Sequence, residues 1–196
     1  MGVNTRNLVL GPARIYWAGA GTVEPADLSV TNDGWLTPPP DPWRDLGGTD
    51  GGVNLEVDTT YTALVVDQVP MDVGARLTEI KFAVTAGLAE ISDDNIDASL
   101  NKIAERGGGD GYVTMDIPVG SAATQPDYAA LCVDGWGPLT ETGAPTLRRA
   151  IIRKVLSTAK VQLTADRKTQ QKIDTTWGAY WVGPGVAPVR LITAIA

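Results

Sequence analysis

The chain has 196 residues and a net charge of −7, from 23 acidic and 16 basic side chains. It has no histidine, and so lacks the commonest general acid or base and the commonest metal ligand. Its single cysteine, Cys132, can form neither an intrachain disulfide nor a zinc site. It reads as a small buried hydrophobe on a strand, in a chain that folds in a reducing compartment. The negative balance argues against broad nucleic-acid coating, because duplex affinity comes mainly from phosphate neutralisation by Lys and Arg. No segment reaches the ~18–20 apolar residues of a membrane span, and the first residues carry no signal-peptide core. No membrane role and synthesis in a cytoplasm are expected.

The charge is unevenly spread. Residues 1–146 carry 21 acids and 7 bases, and residues 147–196 carry 2 acids and 9 bases. Either the C-terminal strands pair with N-terminal ones and the charges mix in space, or the subunit presents two surfaces of opposite sign. The second arrangement favours head-to-tail contacts between copies.

In chain order, a first strand is expected over Arg6–Trp17. The stretch Ala18–Asp45 shows little periodicity and contains Pro38-Pro39-Pro40 and Pro42, which reads as an extended arm. After the turn cluster at 47–52, Val53, Leu55 and Val57 alternate with Asn54, Glu56 and Asp58, the period of a half-buried strand. Ala63–Gln68 is a second strand and Pro70–Gly74 a break. Arg76–Thr85 alternates again, with Ile80, Phe82 and Val84 on one face. The Thr59–Gly74 region reads as an extended excursion from the body. One helix is expected over Asp93–Arg106. Ser92 is its N-cap, Asp93 and Asp94 sit at the positive end of its dipole, and Ile96, Leu100 and Ile103 form an apolar stripe. Strands resume at Gly111–Ile117, Tyr128–Asp134, Leu147–Ser157, Ala159–Asp166, Lys172–Val182 and Pro188–Ala194. The whole is one mainly β domain over 1–196, a β-sandwich or barrel flanked by one α-helix.

Candidate chemistry is mostly excluded. The run Asp93-Asp94-Asn95-Ile96-Asp97 opens like a calcium loop, but Ala98 and Ala104 stand where the loop needs Gly and Glu. The cluster Gly107–Gly111 lacks the Lys-Ser/Thr ending of a phosphate loop and reads as a flexible connection. The basic cluster Arg148, Arg149, Arg153 and Lys154 reads as a strand facing acidic neighbours, within the subunit or across an interface. Six tryptophans admit a sugar-stacking reading beside core or interface packing. No nucleophile elbow is present. No cofactor, no metal and no enzymatic activity are expected.

The order of segments carries a resemblance. Trp43-Arg44-Asp45-Leu46-Gly47 leads into Gly52–Val57, and Phe82-Ala83-Val84-Thr85 leads into Leu88–Ser92 and the helix. Then come Tyr128–Gly135, Pro138, the basic strand Arg149–Val155 and Thr176-Trp177-Gly178-Ala179-Tyr180. From about Leu8 to the end this resembles the major tail proteins, or tail tube proteins, of long-tailed non-contractile bacteriophages, closest to those of phages infecting actinobacteria. The proline-rich arm departs from that pattern.

The resemblance implies a virion structural protein, assembled in the host cytoplasm, whose hexameric rings stack into a tube. It implies a tape measure protein inside the tube, tail terminator and distal tail proteins as partners, and DNA passing through without specific binding. On that reading Glu56, Asp58 and Asp166 are candidate acids lining the channel, where negative charge repels phosphate. Trp35, Trp43, Asp67, Asp72, Arg76, Arg149 and Arg153 are candidate contacts between subunits or rings. The competing readings are a glycan-binding β-sandwich and another virion part such as a tail terminator or connector.

Overall fold

The computed structural model describes residues 12–117, 127–140, 143, 145–163 and 170–194. The elements are β1 (Ala13–Gly19), β2 (Arg44–Asp45), β3 (Thr49–Leu64), β4 (Gly74–Leu88), α1 (Asp93–Ser99), β5 (Glu105–Gly109), β6 (Tyr112–Asp116), β7 (Ala129–Leu139), β8 (Pro145–Ser157), β9 (Ile173–Ala179) and β10 (Val189–Ala194). One antiparallel sheet runs β2-β1-β7-β8-β9-β4-β3, and β10 joins it on β8. β5 and β6 form a separate hairpin. The fold is mainly β and sandwich-like with one helix, as the alternating segments predict.

The sheet branches at β8. On one side β8 pairs with β7; on the other its first part, Leu147–Ile152, pairs with β10, and Val155–Ser157 pairs with β9. Alternation then sorts side chains onto two faces. Ile15, Trp17, Leu131, Ile152, Val84, Leu88, Ile173 and Trp177 gather into the main core. The sheet curls around them far enough that β1 and β3 touch. Ala98 of α1 and Leu46 pack into the same cluster, so the helix closes its mouth. Asn95, buried, fixes that helix by donating from Nδ2 to the carbonyls of Leu46 (2.8 Å) and Glu90 (2.9 Å).

The opposite face carries Tyr16, Ala18, Ala130, Cys132 and Ile151, and Trp43 of the arm covers it. Trp43 donates from its indole Nε1 to the carbonyl of Val23 at 3.0 Å. The arm is held down by Arg149, which is 0% exposed. Its Nε and Nη2 donate to the two carboxylate oxygens of buried Asp134, each at 2.7 Å. Its Nη1 donates to the carbonyl of Asp27 (2.9 Å) and Nη2 also to that of Thr37 (2.8 Å). The stretch read as a free arm is therefore, over this length, a layer of its own subunit.

Several boundaries differ from expectation, each for a local reason. The helix ends at Ser99 rather than Arg106. Asn101 and Lys102 adopt left-handed backbone, with φ of 56° and 55°, which stops the helix. Asn101 is held there through Ser157, donating to its carbonyl and accepting from its N–H. The glycines read as a flexible connection form β5, paired with β6. A Cβ on Gly108 would lie 2.7 Å from the carbonyl oxygen of Tyr112, so a close backbone approach selects glycine. Residues 53–64 are one strand rather than two, and 65–68 belong to the hairpin tip. Residues 159–163 carry no strand, and the rest of the expected Ala159–Asp166 strand lies outside the described residues. The first strand is described only from Ala13.

Two outcomes follow from this packing. Arg149→Met strands a buried carboxylate, and loss of one partner of a buried pair costs roughly 3–5 kcal/mol. Urea unfolding should show a stability loss of about that size; a variant as stable as the parent overturns the clasp. Cys132 is buried, and desolvation followed by the nearby Asp134 charge raises its thiol pKa. It should resist iodoacetamide in the folded chain and react fully in denaturant, as read by mass spectrometry.

Candidate functional site

The feature that the body of the protein leaves unexplained is the β3–β4 hairpin. β4 pairs with β9 only over Ala83–Leu88. From Val57 and Phe82 outward, β3 and β4 pair only with each other, as far as Leu64 and Gly74. That outer part is a two-stranded ribbon.

Cross-strand partners share a face. The pairs Leu55–Val84, Val57–Phe82, Thr59–Ile80 and Tyr61–Leu77 therefore line one side of the ribbon. Within the body that side is core, with Val84 1% exposed. Outside it the same stripe meets water: Val57 is 54% exposed, Ile80 48%, Tyr61 59% and Leu77 43%. Leu77 and Ile80 are three apart and would face opposite ways in a regular strand. A register shift between Thr60 and Tyr61 makes room for an extra residue on β4 and brings Leu77 onto the apolar side. The tip adds exposed Val65, Val69, Met71 and Val73. A second irregularity, between Asp50 and Val53, lies at the hairpin's base, where Gly51 and Gly52 both adopt φ of 80°. Left-handed backbone in succession there is open to glycine and strained for other residues.

The other side of the ribbon is polar. Glu56 sits opposite Ala83, Asp58 opposite Lys81, Thr60 opposite Glu79 and Thr62 opposite Arg76. Lys81 pairs with Glu79 at 3.1 Å. Glu56 and Asp58 are exposed, on a side that mixes both signs. Asp166 lies outside the described residues.

The candidate contact residues divide. Asp67 and Asp72 are exposed at the hairpin tip and Arg76 is exposed on β4. Trp35 is half-buried, with the guanidinium of Arg14 stacked 4.4 Å from its ring centroid. Trp43 and Arg149 are buried, 5% and 0% exposed, and leave no surface for a second copy in this conformation. Arg153 is half-buried; it donates to Glu24 and to the carbonyl of Ala187. The residues that sequence reasoning missed are Tyr61, Leu77 and the apolar tip. The bulge hid Leu77, which breaks the alternation that marks the rest of β4; Tyr61 keeps the phase of Val57 on β3, with the polar Thr59 between them.

Four of the nine C-terminal cations pair inside the subunit. Arg149 pairs with Asp134, Arg153 and Arg190 with Glu24, and Lys172 with Asp50 and Asp174. The charge split along the chain is thus mixed in space in part, at Asp134, Glu24 and Asp50. Among the tryptophans, Trp17, Trp43 and Trp177 are buried, which withdraws them from any sugar-stacking platform; Trp136 and Trp181 are 41% and 70% exposed. Among the described residues, no group of three Cys, Asp or Glu side chains is placed to hold a metal ion. No helix among them is long and apolar enough to cross a membrane. Comparison with protein-family models and with curated proteins found no match.

Glu24 has a pH signature. Its hydrogen bond to Arg153, then the charges of Arg153 and Arg190, hold its carboxyl below the ordinary 4.5 against partial desolvation. A lowered folded-state pKa contributes stability above the unfolded value, lost as pH falls through the folded one. In Glu24→Gln, the melting temperature should lie below the parent's at pH 7, and the gap should close below about pH 4. A gap constant from pH 7 to pH 3 contradicts that role.

Proposed function

We propose that this chain is a non-enzymatic structural subunit that polymerises with copies of itself into a tube of the tail-tube kind. In that assembly hexameric rings stack into the conduit of a virion tail, built around a tape measure protein and bounded by tail terminator and distal tail proteins. DNA crosses it at ejection without being bound.

One observation carries the reading. The core stripe of β3 and β4 continues past the body as an exposed apolar ribbon, which water disfavours and another subunit can cover. Burying half-exposed aliphatic and aromatic side chains of this kind stabilises by on the order of 1 kcal/mol each. Over one ring this recurs at every interface.

The sheet edges support the same reading. β3, 16 residues long, lies at the end of the strand order with its outer edge unpaired among the described residues. A long free edge is a template for pairing with another chain, and a closed ring leaves none. With the apolar side of the ribbon against a neighbour, the side carrying Glu56 and Asp58 stays in water, where it is available to line a channel. Glycan binding is disfavoured because three of the six tryptophans are buried.

The test exploits the register. Val57 and Phe82 are cross-strand partners, so residues 58–81 can be replaced by an Asn-Gly turn that joins them directly. The shortened chain should keep a cooperative thermal unfolding transition and stay monomeric by light scattering. The parent, concentrated, should give rings or tubes with a central hole in negative-stain electron micrographs. Tubes from the shortened chain, or a parent that stays monomeric at every concentration, sink the proposal.

A further inference from the structure

β3 ends the strand order, and its outer edge is unpaired among the described residues. β10 pairs with β8 on one side, and its other edge is likewise unpaired among them. An unpaired edge presents backbone donors and acceptors to any strand that can match it. Side chains then decide which strand that is.

The two edges match face by face. On β3, Val57 and Tyr61 lie on the core side and Glu56 and Asp58 on the other. On β10, Val189 packs against the main core and Ile192 against the cluster beneath the arm. Alternation puts Leu191 on the core side, opposite Ala150, and Arg190 on the other. Leu191 is 58% exposed although its side of the sheet is core. A sheet continued from β3 into β10 therefore sets Leu191 beside the stripe of Val57 and Tyr61, and Arg190 beside Glu56 and Asp58. A slip of one residue would set apolar against charged, so the register is specified.

Charge makes the match selective. β3 carries Asp50, Glu56 and Asp58 and no base; β10 carries Arg190 and no acid. Lys172 takes Asp50 at 3.3 Å, but Glu56 and Asp58 are exposed and in no ion pair among the described residues. Arg190 shares Glu24 with Arg153, so two guanidiniums meet one carboxylate and a positive charge is left over. Like charges opposite one another across strands are destabilising. A two-fold pairing of β3 with β3 centred on Val57 sets Glu56 against Asp58 twice, and β10 with β10 adds positive charge to positive. The outer half of β4 has a free edge as well, but it alternates Lys81 with Glu79 and offers acids no uniform partner.

We propose that the acidic edge of β3 joins the basic edge of β10 on a second copy of this chain, so that edge charge selects head-to-tail contact over two-fold pairing. This contact rests on the self-assembly proposed above and supplies its receiving surface. Each copy keeps one edge of each kind for its neighbours, the condition for a ring or filament rather than a closed dimer.

Exchanging the charges tests it. Glu56→Lys with Asp58→Lys in one chain, and Arg190→Glu in another, should each raise the concentration needed for assembly about tenfold or more, read by sedimentation velocity. Mixed one to one, the two chains should assemble near the parent's concentration, because alternating copies then meet opposite charges at every interface. Either variant alone assembling like the parent, or a mixture no better than its components, overturns the contact while the parent's assembly stands. A parent that never assembles removes both the contact and the self-assembly beneath it. If Arg190→Glu does not fold, Arg190→Lys keeps the charge and supplies an amine for carbodiimide coupling in assemblies of labelled and unlabelled chains. Peptides joining position 190 of one chain to Glu56 or Asp58 of another support the contact; coupling to Glu24 alone, or none at all, overturns it.

Discussion

The rest of the structure depends on one buried guanidinium. Arg149 sits on β8 with no exposed surface, and Asp134, its cross-strand neighbour on β7, meets it with both carboxylate oxygens. A fork-to-fork pair of this kind has donors left over once the carboxylate is filled. Here they reach the carbonyls of Asp27 and Thr37, ten residues apart along the arm. A long segment without regular secondary structure is thereby tied at two points to the middle of the sheet. Glu24, between Arg153 and Arg190, ties it at a third. The desolvation of the ion pair is offset by these four hydrogen bonds and by the apolar face that the arm covers.

That clasp decides how the two sides of the sheet are used. One side curls around the main core, and the arm seals the other over Tyr16, Ala130, Cys132 and Ile151. The body can thus satisfy its own surfaces. The apolar surface left over is concentrated on the β3–β4 ribbon, beyond the last residues that β9 supports. The extension is thus a surface that gains from a neighbour.

The strand pattern was legible because alternation is a local signal. Val53 to Asp58 and Ile80 to Val84 sit on the faces that their spacing predicts. The helix start was legible for the same reason, since Ser92 caps it by accepting from the N–H of Asn95. Its end was not, because Asn101 leaves the helical region to bond Ser157, 56 residues away. Arg149 was visible as part of a basic cluster, but a buried Arg and a surface Arg look alike in one sequence; burial here is set by the arm, 112 residues distant at Thr37. Leu77 was lost to a bulge that moves the pattern of β4 by one residue.

The uneven charge along the chain invited an electrostatic account of self-association, with acidic and basic surfaces meeting head to tail. The fold answers differently. Arg149, Arg153, Lys172 and Arg190 each meet acids within the same subunit, so part of the C-terminal excess is consumed in holding strands and arm together. What remains for a second copy is the ribbon, apolar on one side and of mixed sign on the other. Apolar burial is weakly directional, whereas the free backbone edge of β3 accepts a partner only in a strand register. In the proposed assembly, affinity comes from Val57, Tyr61, Leu77 and Ile80, and orientation from the edge beside them. The charges of Arg149, Arg153 and Arg190 help to close the subunit, and the ribbon is the surface we propose for joining it to the next.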